Sequence, residues 1–162
     1  MPRRRINKKS YFRHLFSVSF STTLLQIIMS SQNFSSSATG NIQSLILAVD
    51  DNEDNLQLIS ELLLIMNCCF ITATDGKSAI SMAQTYKPKL ILLDMMLPDV
   101  SGIEVANYLK QDSQTKEILI IAVTAMARDE DRERFAKAGC EDCITKPYII
   151  DELEAMIRKY LS

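Results

Sequence analysis

The stretch Leu90-Ile-Leu-Leu-Asp94-Met-Met-Leu-Pro-Asp99 sets an unbroken apolar run against a carboxylate and then a proline-marked turn. A run without polar alternation is what a strand buried on both faces requires, and such strands belong to parallel sheets. Leu45–Val49 and Ile118–Val123 read the same way. Phe70–Ala73 and Cys143–Thr145 are shorter and more mixed, as edge strands should be.

Helical spacing fills the gaps. Leu56, Ile59, Leu63 and Met66 recur at intervals of three and four behind the acidic pair Glu53 and Asp54. Ala79, Ile80 and Ala83 mark a second helix. Ser101 with Glu104 forms a capping-box pattern ahead of Ile103, Ala106 and Leu109. The charge-laced segment Ala127–Ala138 stops at Gly139, and Leu153, Met156, Ile157 and Tyr160 stripe a last helix. Strand and helix alternate five times. That order predicts an α/β fold, a parallel sheet with helices on both faces joined by right-handed crossovers.

The chain has 162 residues, 47% of them hydrophobic and 23% charged. Its formal charge of −2 conceals an asymmetry. Residues 1–44 carry six basic groups and no acid, so the remainder has twelve basic and twenty acidic groups, a net of −8. An acidic body argues against nucleic acid as a direct partner. No apolar run reaches the ~18 residues of a membrane-spanning helix. Cys68, Cys69, Cys140 and Cys143 do not have the spacing of a secreted disulfide framework.

Residues 1–44 read differently from residues 45–162, which form the expected domain. A basic run leads into the apolar and hydroxylic stretch Leu15–Met29 and then the Ser-rich Ser30–Gly40. Three readings stay open: a signal peptide, an organelle transit peptide, or a true start at Met29 with a disordered lead-in.

In an open parallel sheet, ligands bind beyond the carboxyl ends of the strands. Asp50 and Asp51 follow the first run, Asp94 the third, Thr124 ends the fourth, and Lys146 and Pro147 follow the fifth. Singly, each has an ordinary explanation: an Asp caps a helix, a Thr makes a turn, a Lys faces solvent. Together they place three carboxylates on one rim, where like charges raise one another's pKa unless a cation intervenes. Clustered carboxylates with few other ligands suit Mg²⁺. With the Lys146 charge and the Thr124 hydroxyl added, this is equipment for phosphoryl transfer. No Gly-rich phosphate loop is present, so the acceptor is a side chain, and an Asp can form an acyl phosphate.

On these residues, Leu45–Ser162 resembles the receiver domain of two-component response regulators. The motifs are Val49-Asp50-Asp51-Asn52, Leu93-Asp94-Met95-Met96-Leu97-Pro98-Asp99, Gly102, Thr124-Ala125 and Lys146-Pro147. The resemblance implies a flavodoxin-like, doubly wound (βα)5 sheet in strand order 2-1-3-4-5. It implies that Asp94 is the phosphoacceptor. Asp51, Asp94 and the Met96 backbone carbonyl would bind Mg²⁺ directly, with Asp50 acting through water. Thr124 and Lys146 would contact the phosphoryl group, next to a Lys146–Pro147 peptide that is cis in this family. The resemblance further implies a cytoplasmic, stand-alone response regulator without enzyme activity beyond self-catalysed phosphorylation and dephosphorylation. A histidine kinase or histidine phosphotransfer protein would supply the phosphoryl group, and a protein target would dock on the 127–161 face. A phosphorelay intermediate and a pseudo-receiver binding module remain as alternatives. An Asp-nucleophile phosphatase of the haloacid dehalogenase type is rejected, because the general acid it needs two residues past the nucleophile is Met96 here.

One position departs from the pattern. Three residues before the rim lysine, receivers usually carry an aromatic switch; here Cys143 stands there, so a looser coupling of phosphate to the docking face is expected. Cys140 and Cys143 spell C-x-x-C, but the only His is His14, so two small, partly buried residues is the plainer reading. Met96 and Met126 border the expected approach of hydrolytic water. Either they cover the site and slow dephosphorylation, or they pack loosely at the surface.

Overall fold

A computed structural model describes residues 44–161, so the leader and the alternative start at Met29 lie outside the described residues. The elements run β1 (Leu45–Val49), α1 (Glu53–Ile65), β2 (Cys69–Ala73), α2 (Gly76–Tyr86), β3 (Leu90–Asp94), α3 (Gly102–Gln111), β4 (Leu119–Thr124), α4 (Asp129–Lys137), β5 (Asp142–Thr145) and α5 (Ile150–Leu161). All pairings are parallel and the strand order is β2-β1-β3-β4-β5. The α/β doubly wound sheet expected from the alternating pattern is therefore the fold, with the two mixed strands at its edges.

Each central strand feeds two cores because successive side chains point to opposite faces. Leu47, Ile91, Leu93, Ile120 and Ala122 pack with Ala79, Ala83, Val105, Leu109 and Phe135 on the side of α2, α3 and α4. Ile46, Ala48, Leu90, Leu92, Ile121 and Val123 pack with Leu56, Ile59, Leu63, Leu153 and Ile157 on the side of α1 and α5. A polar residue in either register would be buried, which is why the runs are unbroken.

Helix starts follow local chemistry. The Asn52 side chain accepts from the Asp54 and Asn55 amides at 2.9 and 3.2 Å, and Ser101 and Glu104 close the capping box on α3. The helix read over Ala127–Ala138 is shorter than its pattern and starts at Asp129. The cause is Thr124, whose hydroxyl donates to the Met126 carbonyl at 2.9 Å and accepts from the Met126 amide at 3.3 Å. This side-chain turn takes up the backbone groups that an earlier helix start would use. At the other end Gly139 stands at φ +92, where a Cβ would lie 2.6 Å from the Lys110 stem, so glycine is required twice over.

Gly102 fixes the far side of the β3–α3 loop. Its amide donates to the Met95 carbonyl at 3.2 Å, and a Cβ there would fall 2.4 Å from the Asp94 carbonyl oxygen and 2.7 Å from Met95 Cα. Backbone cannot retreat as a side-chain tip can. Gly102→Ala should therefore cost about 1–3 kcal/mol of stability through overpacking. Urea unfolding checks this: the midpoint should drop with little change in slope, whereas an unchanged midpoint would mean the loop yields freely.

Candidate phosphoacceptor site

The carboxyl ends of β1, β3, β4 and β5 converge. Asp50 follows β1 and is buried; its Oδ1 accepts from the Asn52 amide at 3.0 Å and from Asn55 Nδ2 at 3.1 Å. Asp51 comes next in the chain and is exposed. Asp94 is the last residue of β3, also buried, and its Oδ1 accepts from the Met96 amide at 2.8 Å. The second oxygen of Asp50 and of Asp94 each accepts from Lys146 Nζ, both at 2.5 Å. Thr124 is buried at the end of β4, its hydroxyl engaged with the Met126 backbone. The Lys146–Pro147 peptide is cis.

Two buried carboxylates side by side are tolerated because one ammonium lies between them. Burial alone would lower the Lys146 pKa, but hydrogen bonds and charge from Asp50 and Asp94 outweigh it and hold Lys146 above its ordinary value of 10.5. Tyr148 is pushed the same way, by burial first and then by the charges of Asp50 and Asp94.

One oxygen each from Asp50, Asp51 and Asp94 lie within 4.8 Å of one another. An all-oxygen set that is partly buried, with one member open to solvent, fits a hard divalent cation that keeps some of its water. The sequence-derived residues Asp50, Asp51, Asp94, Thr124 and Lys146 are thus gathered at one rim. Met96, 76% exposed, and Met126, 56% exposed, lie at the surface, the looser of the two arrangements expected for them.

Cys140 and Cys143 are buried on the α2–α4 side of the sheet. Burial pushes the Cys140 thiol up to about 12 and raises Cys143 as well, so both are protonated core residues without thiolate reactivity. Tyr148 packs on the opposite, α1 and α5 side, so it cannot fill the space that Cys143 leaves. Sequence reading missed Asn55, which orients Asp50, and Asp99, which accepts from two amides of α2. Asn55 had a signal in its place three residues beyond the Asn52 cap. Asp99 had none, since its partners are 22 and 23 residues away.

The ion triplet makes stability depend on alkaline pH. A lysine whose folded pKa is raised contributes fully below its unfolded value and loses that contribution as pH rises through the folded one. In Lys146→Met, Asp50 and Asp94 lose their cation, and stability at neutral pH in chelator should fall by roughly 2 kcal/mol or more. As pH rises from 10.5 through the raised folded-state value, the gap to the wild type should narrow, because the unfolded wild-type chain loses the lysine proton first and the folded one follows. Urea titrations of both proteins at neutral and strongly alkaline pH measure this, and a gap that stays constant would contradict it.

The family model described as the response regulator receiver domain matches residues 46–158. The polar-differentiation response regulators DivK of Brucella anthropi and Brucella ovis are each 39% identical over 116 residues, covering 72% of this chain and 94% of theirs. Among solved structures, the chemotaxis protein CheY4 of Vibrio cholerae superposes with a TM-score of 0.70 at 25% identity, over 73% of this chain and 98% of that one. The receiver domain of a sensor histidine kinase from Pseudomonas aeruginosa matches at TM-score 0.68 and 29% identity, over 73% and 97%, and holds a magnesium ion in its active-site cleft. With the family model spanning most of the described residues and the fold and rim agreeing with it, the chain belongs to the response regulator receiver domain family.

Proposed function

We propose that Asp94 is the residue that carries the phosphoryl group in this response regulator, and that Asp50, Asp51 and Lys146 make the transfer possible. The observation that carries the reading is Lys146 Nζ bonded at once to buried Asp94 and buried Asp50, with Asp51 open to solvent beside them. The donor is a phosphohistidine on a histidine kinase or phosphotransfer protein. An Asp94 carboxylate oxygen attacks phosphorus; the P–O bond forms as the P–N bond breaks, and the departing imidazole keeps the electron pair and takes up a proton. No base is needed, because the nucleophile is already a carboxylate.

Asp51, Asp94 and the Met96 carbonyl would hold Mg²⁺ directly and Asp50 would do so through water. When bound, the cation offsets negative charge on the transferring oxygens. Lys146, which neutralises the carboxylates before transfer, remains as the positive partner of the phosphoryl oxygens afterwards. Thr124 can follow only by giving up Met126, so its movement loosens the turn that sets where α4 begins. That links the rim to the 127–161 face, where a protein target docks. Because Cys143 leaves no aromatic gate there, the coupling is loose. A phosphohistidine donor of that kind places the site of action in the cytoplasm; no helix among the described residues is long and apolar enough to cross a membrane.

Incubation with acetyl phosphate and Mg²⁺ should add one phosphoryl group by intact mass. Asp94→Asn and chelation should each abolish it, and Asp51→Ala should reduce it severely through loss of the cation. Lys146→Ala should blunt the change in amide exchange over α4 more than the labelling itself. Equal labelling of Asp94→Asn would overturn the assignment, and a fully folded wild type that never labels would favour a binding module that has the fold without the chemistry.

A further inference from the structure

The seven residues Met95–Ser101 between β3 and α3 carry the Met96 carbonyl, and they are held unevenly. At the start, the Met95 amide continues the sheet by donating to the Val123 carbonyl at 2.9 Å. At the end, Gly102 sits against the Asp94 and Met95 backbone. Between these points Leu97 is buried, while Met96 itself is mostly in solvent. The Asp99 side chain hydrogen-bonds to a separate helix: its carboxylate accepts from the Gly76 amide at 2.8 Å and from the Lys77 amide at 3.1 Å, one oxygen to each. The Gly76 amide, followed by that of Lys77, holds the Asp99 carboxyl below the usual carboxylate range.

The first turn of α2 is shaped for this contact. A Cβ on Gly76 would lie 2.9 Å from Val105 Cγ2 and 3.0 Å from the Val100 carbonyl, so only glycine lets the helix start approach the loop so closely. Asp75 serves the third amide of the helix, one oxygen accepting from the Ser78 amide and the other from the Ser78 hydroxyl, each at 2.7 Å. The first two amides, of Gly76 and Lys77, have no partner within the helix. Asp99 accepts from both, so a carboxylate of the loop completes the cap and in doing so fixes the distance between α2 and the loop.

We propose that Asp99 is a positioning residue: it ties the loop to the start of α2 and so holds the Met96 carbonyl in place for the divalent cation. The inference rests on the reading of Asp94, Asp51 and Met96 given above. The cation demands near-ideal geometry and penalises a wandering ligand. Groups behind the ligands set that geometry, and losing one typically weakens metal binding by ~10–100-fold.

The two carboxylates at the start of α2 provide the control. Asp75→Ala and Asp99→Ala each remove hydrogen bonds from the same helix end, but only the second frees the loop. Calorimetric titration with MgCl₂ alone, with no phosphodonor present, should show Asp99→Ala about tenfold weaker than the wild type. Asp75→Ala should stay within about twofold, because its cap loss is local to the helix. Asp99→Asn keeps one acceptor oxygen and should fall between them; it also decides the matter if the alanine variant does not fold. Amide exchange in chelator should quicken over Met95–Ser101 in Asp99→Ala and not in Asp75→Ala. Equal Mg²⁺ affinities for Asp99→Ala and wild type, or equal weakening in the two alanine variants, would overturn the proposal. Asp94→Asn, run alongside with acetyl phosphate, separates this from the phosphoacceptor assignment: labelling of that variant sinks the assignment, whereas the tether is judged on metal alone.

Discussion

Everything at the carboxyl end of the sheet depends on neutralising acid that the fold has buried. The strands are apolar on both faces because both are covered, so the first polar groups come where strands end. Asp50 and Asp94 sit there on the adjacent strands β1 and β3, each almost wholly out of solvent. Lys146 reaches them from beyond β5, on the far side of β4. Without it, two carboxylates would share a site too dry to hydrate either. The same arrangement that makes the ammonium necessary makes the rim suited to a divalent cation and a phosphoryl group, because both enter as further terms in one local charge balance.

The glycines and the loop show how that balance is held in register. Gly102 brings the backbone of the β3–α3 loop back against Asp94, and Gly76 brings α2 against the same loop from the other side. Neither position tolerates a methyl group without a shift in backbone or side chain. Asp94 therefore stands on a strand end braced by close packing, while the neighbouring Met96, mostly in solvent, depends on hydrogen bonds for its placement. The rim thus combines two buried carboxylates held by the packed strand ends, Asp50 and Asp94, with an exposed one, Asp51.

The parallel sheet was legible because Leu45–Val49, Leu90–Leu93 and Ile118–Val123 have no alternation to suggest a solvent face, whereas its strand order came from the family resemblance. The rim residues were legible because the strand ends point to them. The start of α4 was not, since the competition for backbone groups by Thr124 is decided in three dimensions and the charge pattern over 127–138 runs on regardless. Asp99 was not, because a loop carboxylate whose partners lie more than twenty residues back leaves no local mark. Tyr148 and Cys143 illustrate the same limit: five residues apart in the chain, they fall on opposite faces of the sheet.

The contacts of Lys146 also span the chain, 96 residues to Asp50 and 52 to Asp94. Contacts of such separation form late, after the entropy of closing the intervening chain has been met. A sheet of the first strands alone would carry its acidic pair without a counter-charge, so the last strand to join the edge is also the one that relieves the repulsion at the middle. Fraying of β5 therefore weakens a distant strand end as well as its own edge.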